Sequence, residues 1–137
     1  MLPELTQITV RILLDTHIAL WAIADDSRLK ATARALIEAP DNVVAVSAAS
    51  IWEIGIKQAL GHGDMPLSAA EAAGYFRAAG YVLLDISADH AAAVETLPLI
   101  HADPFDRLIV AQALTEPLRL ITHDDTVARY SDSIMRV

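Results

Sequence analysis

The chain has 137 residues, 10 Lys+Arg against 18 Asp+Glu for a formal net charge of −8, and no cysteine. That length suits one domain over residues 1–137, burying roughly 65–70% of its unfolded surface, and the lack of cysteine excludes a disulfide framework and a thiolate metal site. The charge has the wrong sign for holding nucleic acid by bulk electrostatics, but a cation bound among clustered carboxylates would invert the local field, so a nuclease is not excluded.

Apolar residues make up 54% of the chain and mean hydropathy is +0.38, an excess that points to surface reserved for a partner. No apolar run reaches the ~18 residues needed to span a bilayer, because Asp15, His17, Asp25 and Asp26 interrupt the longest one. Met1–Val10 contains Glu4 and no basic stretch, so it does not read as a secretory signal. A cytoplasmic protein without membrane association is expected.

In chain order, Thr9–Leu14 reads as a strand whose consecutive Ile12, Leu13 and Leu14 suit a parallel strand buried on both faces. His17–Ile23 reads as a helix. Ser27 is placed to cap a second helix, Arg28–Glu38, with Leu29, Ala33, Leu36 and Ile37 on one stripe. After a turn at Pro40-Asp41-Asn42, Val43–Val46 is a second buried strand. A helix starting at Ser47 or Ser50 then runs to about Leu60, where Gly61 ends it. Ser68–Arg77 is helical and stopped by Gly80, Tyr81–Ile86 is a third strand, and Ser87–Thr96 is a helix. Asp103 is an N-cap with Pro104 at the first helical position, opening a helix through Leu114 that is apolar on nearly every side. Leu118–Thr122 is a fourth strand, Asp124–Tyr130 a short helix and Ser133–Val137 a fifth strand. This alternation predicts a three-layer α/β fold with a mainly parallel, about five-stranded sheet.

In such sheets, sites form beyond the carboxyl ends of the strands. Asp15 directly follows the first strand, and Asp124 follows the fourth across His123. Asp106 lies in the first turn of the helix after Asp103, where the helix dipole favours a carboxylate. Glu53 is the only charge in the apolar half-helix SIWEIGI. Each acid alone has an ordinary reading: Asp15 and Asp124 as caps, Asp103 and Asp106 as a pair capping one helix, and Glu53 as half of a Ser50–Glu53 capping box or of an i,i+4 pair with Lys57. The same S-x-x-E spacing at Ser68–Glu71 has no functional context. Were the four acids to converge, they would have to protonate or bind a cation, and all-carboxylate ligation suits Mg²⁺ or Mn²⁺.

The segments LLDTHIALW (Leu13–Trp21), SAASIWEIGIK (Ser47–Lys57), HADPFDRLIVAQA (His101–Ala113) and LITHD (Leu120–Asp124) resemble, in order, the four motifs of PIN-domain nucleases, and more narrowly of VapC-type toxins of prokaryotic toxin–antitoxin pairs. The resemblance implies a PIN-like domain with strand order 3-2-1-4-5. It implies a metal-dependent endoribonuclease that hydrolyses RNA through a Mg/Mn-activated water, leaving 5′-phosphate and 3′-hydroxyl ends. Asp15, Glu53, Asp106 and Asp124 become the catalytic and metal-binding set, and a cognate antitoxin becomes the partner that blocks the site. Against that family the stretch Met1–Ile8 reads as an extension or a mis-chosen start.

Thr16, Asp103 and Thr122 are candidates to orient the ligands from behind, turn hydrogen bonds being the alternative for the threonines. Lys57 and Arg107 are candidates for RNA phosphate, or else they pair with neighbouring acids. Trp21 and Trp52 read as core or interface, with base stacking as the alternative. His17, His101 and His123 lie near three of the acids, but no H-E-x-x-H or Cys/His spacing is present. A homodimer is expected from the apolar excess. Two other function classes remain: a phosphotransfer domain with Asp15 as phosphoacceptor, which lacks the D-x-D of such proteins, and a non-catalytic PIN-fold binding module.

Overall fold

The computed structural model describes residues 10–61 and 65–137. The expected extension Met1–Ile8 and the first residue of the expected strand, Thr9, lie outside the described residues. The elements are β1 (Arg11–Leu14), α1 (Thr16–Ala24), α2 (Ala31–Glu38), β2 (Val43–Ser47), α3 (Ala48–Ala59), α4 (Ala69–Ala78), β3 (Val82–Leu84), α5 (Ala88–Ala93), a 3-10 turn at Val94–Thr96, α6 (Pro104–Thr115), β4 (Arg119–Thr122), α7 (Asp125–Ala128) and β5 (Met135–Arg136).

The five strands form one parallel sheet in the order β3-β2-β1-β4-β5, as the resemblance implied. Strand β1 is central because its apolar run buries both faces. Ile12 and Leu14 join one core with residues of α1, α2, α3 and α4, and Leu13 joins the other core with α6 and Val127 of α7. Pairing of Leu14 with Val46 on one side and Ile121 on the other brings three strand ends into line, one residue before Asp15. The order reverses at β1, where β2 departs to one side and β4 to the other, and clefts open at such a point.

Several boundaries differ from expectation for local reasons. Helix α2 starts at Ala31, not Arg28, and Ser27 does not cap it. Asp26 instead accepts from the Arg28 N–H (2.9 Å) and holds the preceding residues in a turn. Helix α3 is capped by Ser47, which accepts from the Ala49 N–H, so Ser50 lies inside the helix. The expected Ser87–Thr96 helix is α5 followed by the 3-10 turn. Gly61 and Gly80 take φ of 71° and 86° just after their helices, a left-handed conformation that costs glycine little.

Trp21 is in the core, but Trp52 is 58% exposed and is not core. Helix α6 buries Ile109–Ala113, and Leu114 is exposed.

A buried polar link sets the register between α3 and α6, the helices carrying Glu53 and Asp106. The Ser47 hydroxyl donates to Gln112 Oε1 (2.5 Å), and Gln112 Nε2 donates to the Asp85 carbonyl (3.3 Å). Replacing Gln112, which is fully buried, by leucine keeps the volume but leaves the buried Ser47 hydroxyl proton without its acceptor. Gln112→Leu is expected to cost about 1–3 kcal/mol, read as a lower urea midpoint at unchanged slope.

Candidate active site

Four segments meet at the carboxyl end of the sheet. Asp15, just past β1, caps α1: Oδ1 accepts from the Ile18 N–H (2.9 Å) and Oδ2 accepts from the hydroxyl of Thr122. The same Thr122 oxygen accepts the Asp124 N–H at 3.0 Å, so one hydroxyl at the end of β4 ties Asp15 to Asp124. Asp124 caps α7, its Oδ1 accepting from the N–H groups of Thr126 (2.7 Å) and Val127 (3.2 Å), while Oδ2 lies 3.8 Å from His101 Nε2.

On the other side of β1, the Thr16 hydroxyl donates to Glu53 Oε1 at 2.6 Å and lies 2.9 Å from the Ser50 hydroxyl. Glu53 Oε2 pairs with Lys57 Nζ at 2.9 Å. Of the two ordinary readings of Glu53, the i,i+4 pair therefore forms and the capping box with Ser50 does not, whereas Ser68–Glu71 is a complete capping box.

Asp106 enters from α6. Asp103 Oδ1 caps this helix by accepting from the N–H groups of Phe105 (2.8 Å) and Asp106 (3.1 Å), which fixes the first turn. Asp106 Oδ2 then meets His101 Nε2 at 2.8 Å. Ligand atoms of His101, Asp106 and Asp124 all lie within 4.8 Å of one another. Asp15 and Glu53 are not in that triangle. Both are buried, and Thr122 links Asp15 to Asp124, while Thr16 holds Glu53; the Asp124 side chain is 42% exposed.

His101 was singled out in the sequence only by its nearness to the acids, and Tyr130 was not singled out at all. Both matter to the geometry. Tyr130 Oη accepts the His101 N–H (2.9 Å) and an Arg107 Nη1 proton (3.0 Å), and Arg107 also donates to the carbonyls of Pro98 (3.0 Å) and Val94 (3.2 Å). Arg107 thus forms no ion pair with a neighbouring acid among the described residues. Its guanidinium braces the loop that presents His101. A signal existed in the spacing, since the Asp103-Pro104 cap between His101 and Asp106 turns the loop back over the first helical turn.

A cavity of about 630 Å³ is lined by His17, Trp21, Arg28, Lys57 and Tyr75 among others; it meets the acids through Lys57, the partner of Glu53. On the surface, Trp52 packs edge-on against Phe105, ring centroids 4.9 Å apart. These two aromatics immediately precede Glu53 and Asp106 in the chain.

The electrostatics show that the acids feel one another. Burial pushes the Asp106 carboxyl up to about 6. The His101 hydrogen bond opposes that shift, and the charges of Asp103, Glu53 and Asp15 add to it. Burial also raises Asp15, against the lowering effect of the Thr122 hydrogen bond. A divalent cation relieves repulsion of this kind, and carboxylate oxygens are the hard donors that Mg²⁺ and Mn²⁺ take. The residues present fit such an ion.

An acid whose folded pKa is raised holds its proton in the native state at a pH where the unfolded chain has lost it. Without added metal, stability is therefore expected to rise as pH falls from above 6 toward the ordinary value of 3.8. Thermal melts in EDTA across pH 4–8 should show this slope for the wild type and a shallower one for Asp106→Asn, which cannot ionise. Equal slopes would mean that Asp106 titrates normally.

The PIN domain family model matches residues 12–132. No curated protein matches the chain. Among solved structures it is similar to VapBC2 from Rickettsia felis bound to a DNA fragment from its promoter, with 16% identity, 93% of this chain and 98% of that chain covered, and a TM-score of 0.67. A toxin–antitoxin complex from Klebsiella pneumoniae shares 20% identity over 90% of this chain and 95% of that chain, TM-score 0.63. VapC20 of Mycobacterium tuberculosis, a sarcin-ricin loop cleaving toxin, shares 20% identity over 86% and 93%, TM-score 0.59. At these identities the structures speak to the fold, while the family match covers nearly the whole described chain and all four acid-bearing segments. This chain belongs to the PIN domain family.

Proposed function

We propose that this chain is the ribonuclease toxin of a toxin–antitoxin pair, a Mg²⁺- or Mn²⁺-dependent endonuclease acting in the cytoplasm as one domain over residues 1–137. The observation that carries this reading is the gathering of acids at one end of the sheet: Asp106 and Asp124 meet at His101, Thr122 ties Asp15 to Asp124, and the charges of Glu53 and Asp15 act on Asp106. Such an arrangement costs stability unless a cation is shared there.

Asp15, Glu53, Asp106 and Asp124 hold the ion. Thr16 and Thr122 fix the carboxylates they hydrogen-bond, and Asp103 fixes the helix turn bearing Asp106. When bound, a divalent cation polarises a phosphoryl oxygen and makes a water more acidic. Lys57 pairs with Glu53 and also lines a neighbouring cavity, which supports reading its ammonium as an RNA phosphate contact. Arg107 is better read as a brace than as an RNA contact, because its donors are spent on the Pro98, Val94 and Tyr130 oxygens.

RNA as the substrate rests on family membership and on the VapC20 neighbour, described as a sarcin-ricin loop cleaving toxin. A cognate antitoxin as partner rests on neighbours solved as toxin–antitoxin complexes, and a basic antitoxin side chain set against the carboxylates would neutralise them. A homodimer is favoured by the exposed apolar face of α3, where Trp52, Ile56 and Leu60 lie open. Among the described residues no helix is long and apolar enough to cross a membrane. Asp15 is poorly disposed as a phosphoacceptor, since His17 stands where the second acid of a D-x-D pair would be. A non-catalytic binding module would have no need to keep mutually repelling carboxylates together.

Structured RNA incubated with the protein and Mn²⁺ or Mg²⁺ should be cut to 5′-phosphate products. Asp106→Asn should lower the rate at least about a hundredfold with an unchanged circular dichroism spectrum, since even outer-shell partners of metal ligands cost up to that. Cutting by Asp106→Asn at the wild-type rate would remove the site from the reaction. For the dimer, light scattering at micromolar concentration should give twice the chain mass, and Trp52→Lys should shift it to one chain mass. A monomeric wild type would refute that assembly.

A further inference from the structure

We infer that Tyr130 is a positioning residue whose hydroxyl sets the spacing between Asp106 and Asp124 and so fits the acid site to a small cation. This rests on the metal-dependent reading above, and it adds what sizes the site.

The two carboxylates stand on different elements, Asp106 in the first turn of α6 and Asp124 at the N-terminus of α7. Helix α7 has four residues, and a single turn holds too few internal hydrogen bonds to be rigid by itself. It is placed by what grips its two ends. Thr122 grips the first end, through the Asp124 N–H. Tyr130, two residues past the last turn, grips the other.

The phenol oxygen of Tyr130 uses its full capacity. It accepts the His101 N–H (2.9 Å) and an Arg107 Nη1 proton (3.0 Å), and it donates its own proton toward the His101 carbonyl at 3.5 Å. Both of these partners are attached to Asp106. Arg107 follows it directly on α6, and the His101 ring is hydrogen-bonded to Asp106 Oδ2 at 2.8 Å. On its other side Tyr130 is attached to Asp124 through Val127. The Val127 carbonyl accepts the Tyr130 N–H (3.2 Å), and the Val127 N–H donates to Asp124 Oδ1 (3.2 Å). One phenol oxygen therefore closes a path of contacts from one carboxylate to the other.

The consequence is selectivity by ion size. Mg²⁺ demands near-ideal octahedral geometry with bonds of about 2.0–2.1 Å, whereas Ca²⁺ takes oxygens at about 2.3–2.6 Å in a flexible arrangement. Acids held at a fixed separation penalise the larger ion, and acids free to drift apart admit it. The Tyr130 ring packs against the core that α6 shares, so Tyr130→Phe keeps that packing and removes the oxygen alone.

The test is calorimetric titration of the full chain with Mg²⁺ and with Ca²⁺, wild type against Tyr130→Phe, beside thermal melts in EDTA. Mg²⁺ affinity should fall about tenfold in the variant, the lower end of what losing an outer-shell partner costs. Ca²⁺ affinity should fall less, so that the ratio of the two shifts toward Ca²⁺ by at least about threefold. A brace that served stability alone would lower the melting temperature and leave this ratio unchanged, and that result would overturn the inference. Should Tyr130→Phe not fold, Arg107→Lys decides. It takes a donor from the phenol oxygen and should shift the ratio the same way, and an unchanged ratio there would equally overturn the inference. In either case a wild type that binds Mg²⁺ leaves the metal-dependent reading standing. A wild type that binds neither Mg²⁺ nor Mn²⁺ at millimolar concentration would overturn both.

Discussion

Like charges brought together are the constraint on which this site depends. Two carboxylates 4 Å apart repel by about 4 kcal/mol at an effective dielectric of 20, so each acid needs local compensation before any ion arrives. Three of the segments find it at helix N-termini. Asp15 caps α1, Asp124 caps α7, and Asp103 caps α6 just ahead of Asp106. Unpaired N–H groups and the helix dipole favour negative charge at those positions. Glu53 is the exception, since it lies midway along α3. It takes a threonine hydroxyl and a lysine ammonium instead.

A parallel sheet makes this economical. All five strands point the same way, so the strand-to-helix turns after β1, β2, β3 and β4 all open at one end. The reversal of strand order at β1 separates the turns after β1 and β4 just enough for side chains to fill the gap. Thr122 uses that gap: its hydroxyl donates to Asp15 and accepts from the Asp124 N–H, so the β1–β4 pairing and the spacing of two acids become one structural fact. Asp15 and Glu53 form a buried tier and Asp106, Asp124 and His101 an open one. The buried tier supplies charge and fixed geometry, and the open tier supplies access.

The apolar excess divides between core and surface. Two cores on opposite faces of the sheet absorb Trp21, Phe76 and the aliphatic strand residues. Trp52, Ile56 and Leu60 remain exposed on α3, and Trp52 leans on Phe105 of α6. The two helices that carry Glu53 and Asp106 are thus joined twice, by Ser47–Gln112 inside and by Trp52–Phe105 outside. Anything that covers the outer pair would act close to the acids.

The sequence by itself determined the strand–helix alternation, the parallel sheet and the order of the acid-bearing segments, because apolar runs, caps and Gly stops are local signals. Asp103-Pro104 opening α6 and Gly61 closing α3 needed no tertiary information. Helix α2 was misread at its start because Ser27 resembles a cap, while the Asp26–Arg28 turn wins through a side-chain contact that propensity does not show. Tertiary structure alone decided which partner each acid takes. Glu53 could have capped with Ser50 or paired with Lys57, both permitted by spacing, and packing Thr16 against Ser50 turned that serine inward. Arg107 carried no sign of bracing a loop, because its partners are backbone carbonyls and a tyrosine 23 residues away. His101 was one histidine among several until Tyr130, from beyond β4, fixed the loop that sets its ring between Asp106 and Asp124. The Thr16–Ser50, Tyr130–His101 and Tyr130–Arg107 contacts join residues distant in the chain, and no local pattern encodes them.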